Sequence, residues 1–318
     1  AVISNQNDVY APMWNPAGLT EVESDWQGAA MHAEYFESIA KYDYISFAKA
    51  LDSKDGVLGI SIVRLGVDNI LNTTQMIDSE GNIDYDKISK FSTSDYAGII
   101  SYAFRPGGNQ KLSVGINAKI VYRNIGKFAN GFGFGFDAGA IYRADSGYQF
   151  GAMLRDATTT VNFWSINQKE LSAVVNGEEF NPAPKDKMEI TMPKLNLGVS
   201  KNFEINRDLE LLPEAGLNVD FAKTAAVIST DFASISPYLG AELSFQKMIF
   251  VRAGLNRFQT VTDIEDLKRK VSMQPSAGIG IKYKGLTLDY AITNTGIGGS
   301  NYFSNFFSLK LDMRDFRY

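Results

Sequence analysis

No cysteine occurs in the 318 residues, which removes disulfide frameworks and thiolate metal sites and leaves the redox compartment unmarked. A single histidine, His32, excludes multi-histidine metal centres and leaves room for at most one Ser-His arrangement. No run of about 18 apolar residues is present, so no transmembrane helix is expected, although barrel strands would escape such a scan. Basic residues number 31 against 36 acidic ones, for a net charge of −5, and no basic cluster stands out. A nucleic-acid partner is therefore not expected. Neither a charged n-region nor an apolar h-region opens the chain at Ala1, which reads as a mature or truncated form.

What the chain does have is alternation. Along residues 112–122, Leu112, Val114, Ile116, Ala118, Ile120 and Tyr122 share one face of a strand, while Ser113, Asn117, Lys119 and then Arg123 share the other. Similar segments recur near 27–37, 41–51, 56–66, 94–104, 110–123, 131–144, 147–156, 193–203, 209–222, 235–245, 247–258, 274–284, 285–294 and 305–314. The fourteen segments are joined by connections that mostly alternate in length. Short ones such as Pro106-Gly107-Gly108-Asn109, Asp145-Ser146-Gly147 and Lys284-Gly285 carry hairpin residues, whereas residues 67–93 and 157–192 form long loops. A soluble sandwich has no reason to place its long loops on every other turn; an up-and-down outer-membrane barrel does. The sequence therefore predicts an all-β fold, a 14-stranded antiparallel transmembrane β-barrel over residues 27–318, with a soluble two-sheet sandwich as the alternative.

The sign of the faces follows from cost. Turned outward, Lys119, Arg123, Arg252 and Lys310 would each cost up to about 2–4 kcal/mol near the midplane. With Asp137, Asp220, Glu242, Asp289 and Asp312 added, the sum would exceed a folding stability of about 5–15 kcal/mol. These charges are expected in the lumen. Phe132, Phe134, Phe136, Leu239, Val251 and Leu288 are expected to face lipid, and Phe316 and Tyr318 suit an interfacial girdle or an assembly signal. Gly115, Gly133, Gly135, Gly139, Gly151, Gly198, Gly216, Gly240, Gly254, Gly278 and Gly280 share the inward parity. They read either as barrel curvature or as room for another backbone.

The segment that could fill that room is residues 1–26, which lack alternation but hold Val9, Tyr10, Met13, Trp14, Pro16 and Leu19. Asn15-Pro16-Ala17 ahead of a fourteen-stranded barrel resembles the hatch of the FadL-type long-chain fatty-acid transporters. The wider Tyr10–Leu19 stretch looks like the PorV/PorQ branch of that superfamily. This resemblance implies a hatch over residues 1–26 centred on Asn15, Pro16, Ala17 and Gly18, with further hatch residues upstream of Ala1. It also implies residence in the outer membrane of Bacteroidota, with long loops outside and both termini in the periplasm. Such barrels are linked to the type IX secretion system and bind a translocon or secreted cargo rather than acting as enzymes.

Sequence evidence for chemistry is thin. His32 is expected to make a structural polar contact, sharing an inward face with Glu34. Gly133-Phe134-Gly135-Phe136-Asp137-Ala138 matches a dinucleotide fingerprint only as a string, since it lies within one strand instead of opening a helix. Asp68, Asp78, Glu80, Asp84 and Asp86 lack the spacing of a calcium loop and read as solvated acids, so neither a metal site nor a cofactor is expected. Aromatics on surface loops are candidate partner contacts: Phe163, Trp164 and Phe180 in 157–192, and Tyr302, Phe303 and Phe306 near 302–307. Packing across the barrel mouth is the alternative for them. Outer-membrane lipid and lipopolysaccharide, a larger translocon and secreted cargo are the expected partners. The competing reading is a FadL-like transporter passing a hydrophobic compound through a side opening near the hatch, with a general porin third. The mixed charge and glycine of the inward list favour partner binding over hydrophobic transport.

Overall fold

The computed structural model describes residues 2–22, 24–51, 56–78, 80–175, 178–180, 187–262, 269–296 and 302–313. Fourteen antiparallel wall strands close into a barrel. In chain order they are β1 (Trp26–Tyr35), β2 (Ala40–Ala50), β3 (Val57–Asn72), β4 (Ser89–Phe104), β5 (Leu112–Ile125) and β6 (Ala129–Arg143). Next come β7 (Tyr148–Arg155, resuming at Thr160–Ile166) and β8 (Met188–Thr191, continuing as Lys194–Lys201). The circuit is completed by β9 (Leu209–Asp220), β10 (Ser234–Phe245), β11 (Ile249–Thr262), β12 (Arg269–Tyr283), β13 (Leu286–Asn294) and β14 (Phe303–Asp312). β1 pairs with both β2 and β14, so no strand edge is left open. Tight reversals carry the required left-handed residues: Gln246 and Lys247 have φ 51° and 55°, and Lys284 and Gly285 have φ 45° and 80°.

The outer wall is apolar and the inner wall polar over most of the circuit. Ile60, Ile100, Ile116, Ile120, Phe132, Phe134, Phe136, Leu239 and Val251 are exposed on the outside, while Ser61, Ser101, Asn117, Asp137 and Glu214 are buried. Among the described residues no helix is long and apolar enough to cross a membrane. The apolar exterior makes the barrel itself the membrane-spanning element. Arg314, Phe316 and Tyr318 lie outside the described residues.

β1 departs from the expected faces. Gln27, Ala29 and Ala33 are buried, and Ala29 stands opposite the inward Lys310, so the odd-numbered residues of β1 face the lumen. His32 and Glu34 consequently face outward, as do Lys41 and Asp43 on β2. The reading of His32 as inward fails because β1 lacks contrast: Gly28 and Ala30 lie on one face and Ala29 and Ala33 on the other. Charge then becomes a misleading guide to orientation.

Two expected loops are shorter than their sequence suggested. β3 and β4 continue to Asn72 and from Ser89, past a register shift between Val67 and Ile70 where Asn69 has φ 60°. β7 breaks after Arg155 and resumes at Thr160, with Asp156 and Thr159 at φ 51° and 59°. Across this break its pairing with β6 jumps from Ala138↔Leu154 to Phe134↔Val161. Its pairing with β8 jumps from Lys194↔Arg155 to Thr191↔Thr160. The ladder is interrupted on both sides of β7, and the extra residues turn inward: Lys119, on the lumen face, reaches both Asp137 at 2.7 Å and Asp156 at 2.6 Å.

Candidate functional site

Residues 2–22 lie inside the barrel as a short helix, α1 (Ala11–Trp14), followed by a 3-10 turn over Pro16–Glu21. Asn15 joins them in extended conformation, as expected ahead of Pro16, and its side-chain oxygen accepts from Ala17 N at 3.2 Å. Its amide nitrogen donates to Ile3 O at 2.8 Å and to Ala140 O on the wall at 3.2 Å. Asn15, Pro16, Ala17, Gly18 and Leu19 are all buried. One side chain therefore closes its own turn, ties the chain back to Ile3 and fastens it to β6.

Gly115, Gly139 and Gly151 supply the room, whereas Gly133, Gly135 and Gly216 lie against the wall residues Asn162, Thr160 and Tyr238. A β-carbon at Gly115 would fall 2.4 Å from Ala17 N, and one at Gly139 would fall 2.1 Å from Asn15 Oδ1. At Gly151 it would sit 2.3 Å from Ile3 O, and at Gly18 it would strike Gln6 O. The curvature reading does not account for these contacts; close approach of a second backbone does.

Polar clamps around the circuit hold the segment. Buried Glu214 accepts from Ile3 N at 2.7 Å, Ser4 N at 3.1 Å, Ser4 Oγ at 2.6 Å and the Tyr238 hydroxyl at 3.0 Å. Lys310 pairs with Asp8 at 2.6 Å, and Glu21 meets both Arg105 and Arg143 at 2.7 Å. Asn117 donates to Pro12 O at 2.8 Å, and Arg155, at the edge of the β7 break, donates to Met13 O. Sequence reading assigned no role to Glu214, Glu21 or Arg155. Inward parity was available for Glu214 and Arg155 but not for Glu21, which lies outside any strand, and their partners across the lumen lie more than 80 residues away in sequence.

Above this segment the lumen has an apolar side formed by β1 and β2 together with Phe306 of β14. Ser304 and Lys310 fix the even residues of β14 inward, so Phe306 faces the lumen, joined by Met31, Tyr35 and Tyr42 from β1 and β2. The Tyr35 ring meets Phe306 edge-on at 5.3 Å and Tyr42 at 6.2 Å. The Tyr42 hydroxyl lies 4.0 Å from Met13 Sδ, and lower down Tyr10 stacks on Tyr44 at 5.6 Å. Trp14 is 41% exposed at the end of α1. An aromatic and methionine surface thus runs from the long-loop rim to the internal segment, where α1 also touches the β7 break through Met13 O.

The candidate loop aromatics are mostly wall residues. Phe163 and Trp164 lie on the resumed part of β7, with Phe163 outward and Trp164 donating to Glu189 at 2.9 Å while Arg123 sits 5.0 Å over its ring. Phe303 and Phe306 are on β14, facing out and in respectively, and Tyr302 is exposed just before that strand. Phe180 lies in a short hairpin strand, Glu178–Phe180, paired with Ala173–Val175. Of the acidic loop residues, Asp78 accepts from Glu80 N and Asn82 N at 2.9 Å, and Asp68 pairs with Lys41. Asn82 beside it holds the Asp78 carboxyl below its ordinary value. Among the described residues no cluster of metal-binding side chains occurs.

No protein-family model matches the chain, and no curated protein is similar to it in sequence. Solved structures are similar in fold. The Pseudomonas putida toluene transporter TodX is 12% identical, with a TM-score of 0.57 over 97% of this chain and 93% of that one. The monoaromatic hydrocarbon channel CymD is 11% identical, with a TM-score of 0.61 over 98% and 94%. A Pseudomonas aeruginosa FadL homologue is 11% identical, with a TM-score of 0.56 over 98% and 95%. The chain thus has the fold of the FadL-type outer-membrane barrels.

Proposed function

We propose that the protein is a non-enzymatic outer-membrane transporter that passes a hydrophobic small molecule through the barrel. The observation that carries this reading is the inverted sector of the wall, where Met31, Tyr35, Tyr42 and Phe306 face the lumen and lead down to Met13 and Trp14. A wholly polar lumen would repel an apolar solute; this one offers a continuous adsorbing track along one side. Residues 2–22 close the route below that track, acting as the hatch. Because Met13 lies against Tyr42 and also holds Arg155, a solute arriving at Met13 meets the segment that fixes the interrupted part of β7. That interruption is where a side exit toward lipid would form, with the long loops outside and the short turns in the periplasm.

Transport accounts for this lumen better than the secretion-partner reading drawn from the Tyr10–Leu19 likeness, because TodX and CymD are hydrocarbon channels of the same fold. The inward charges and glycines favour partner binding only while Met31, Tyr35 and Tyr42 of β1 and β2 are left out of the lumen lining. Radiolabelled toluene and a labelled fatty acid serve as probes in cells expressing the barrel. Tyr42→Asp should lower uptake of the transported probe by about tenfold, since it places a carboxylate in the apolar track. Uptake unchanged in Tyr42→Asp and in Phe306→Asp refutes the route.

A further inference from the structure

Large side chains do not cover the outer wall evenly. On the outside of β6–β10 one row of cross-strand partners runs Tyr142, Phe150, Val199, Ala215 and Leu239, and the row beside it begins Ala140, Ala152 and Leu197. Between Ala140, Ala152, Val199 and Ala215 the surface falls to the backbone of Gly151, Gly198 and Gly216. The result is an apolar groove of about 530 Å³, which continues past Leu217 to Leu239 and Phe258 as a second hollow of about 420 Å³.

The groove has a length and a direction. Four inter-strand steps of about 4.8 Å separate Tyr142 from Leu239, so it extends about 19 Å. Phe150 lies two residues from the short-turn end of β7, and Leu239 lies six from that of β10. At about 3.3 Å per residue and a strand tilt of about 40°, the far end stands about 10 Å nearer the membrane centre than the near end. The hydrocarbon of one leaflet is about 15 Å thick, half of a core of about 30 Å. The groove therefore follows the path of an acyl chain through the leaflet on the short-turn side.

A cation stands at its low end. Lys201 is the next outward residue after Val199 on β8 and pairs across the ladder with Tyr148. Its ammonium lies 4.6 Å from the centre of the Tyr148 ring and 5.6 Å from that of Phe203. Among the described residues no carboxylate pairs with it, whereas Lys111 and Lys247 on the same rim are paired with Asp145 and Glu210. A rim lysine keeps its ammonium at the level of lipid headgroups. We infer that this wall binds a glycerophospholipid, with the phosphate on the Lys201 ammonium and one acyl chain along the groove. A single ammonium matches a single phosphodiester; a lipopolysaccharide, with several phosphates, would call for several cations. The site is on the outside of the wall and does not depend on what the lumen carries.

Native mass spectrometry of the detergent-purified chain, titrated with dioleoyl phosphatidylglycerol, tests this, with folding of each variant verified by its heat-dependent gel mobility. The unsubstituted protein should bind a first lipid about tenfold more tightly than later ones. Lys201→Glu should remove that strong site, and so should Ala215→Phe, which fills the groove without touching the cation. Lys49→Glu should keep it, because Lys49 is an outward cation at the same rim of β2 where Phe47 and Leu58 stand out from the surface and no groove follows. Equal affinity for first and later lipids in the unsubstituted protein would mean annular lipid only and overturn the inference. A strong first site that survives either Lys201→Glu or Ala215→Phe, or that Lys49→Glu also removes, would overturn it as well.

Discussion

Replacing Glu214 with glutamine tests how the internal segment is held. The carboxylate accepts two backbone N–H groups and one hydroxyl from Ile3 and Ser4 at 2.6–3.1 Å, in a site that is 3% exposed. Hydrogen bonds to a charged group contribute about 1.5–3 kcal/mol each, although the set is not additive. An amide of the same shape keeps one acceptor oxygen and turns an NH2 group toward N–H donors, so about 2–4 kcal/mol of docking free energy should be lost. That corresponds to a rise of about 30- to 900-fold in the open population of residues 3–4. Hydrogen exchange reads this directly: Ile3 and Ser4 amides should lose protection by that factor while Ile116 and Ile120 in the wall keep theirs. Unchanged exchange at Ile3 would show that the glycine-lined groove alone seats the segment. Equal loss at Ile116 would show that Glu214 supports the barrel instead.

Two further perturbations separate plugging from wall stability. Deleting residues 1–22 should raise single-channel conductance in planar bilayers by about tenfold or more, because a fourteen-stranded lumen is wide enough for water once emptied; equal conductance in both forms would refute a plug. Lys119→Met should lower unfolding stability by about 3–5 kcal/mol in urea titration, since it strands the Asp137 and Asp156 carboxylates with which Lys119 pairs. Combining it with Asp156→Asn should recover part of that loss, and no recovery would mean that the ion pairs are not what holds the β7 break inward.

The legible and illegible parts of this chain differ by whether period-2 contrast survives. In β5 and β6 it is strong: Ile116, Ile120 and Phe134 against Asn117, Lys119 and Asp137 can be read one way only, and the structure agrees. In β1, Gly28, Ala29, Ala30 and Ala33 carry almost no contrast, and an inward face for His32 and Glu34 agrees only with the general rule that charge avoids lipid. That rule is sound for a lone charge and fails for a sector in which His32, Asp43 and Arg64 neutralise one another across adjacent strands. The inward glycines pose the same kind of problem from the other side. Parity placed Gly115, Gly139 and Gly151 on the lumen, yet parity alone could not separate curvature from contact. Only the positions of Ala17, Asn15 and Ile3 decide it. Clamps such as Glu214 with Ser4 span 210 residues and leave no local trace. β1 and β2 thus turn Met31, Tyr35 and Tyr42 to the lumen and His32, Glu34, Lys41 and Asp43 to the outside, while β14 keeps the ordinary order, with Lys310 and Asp312 inward and Phe307 and Leu309 outward. The apolar track follows from the reversal of those two strands, and uptake by Tyr42→Asp probes it.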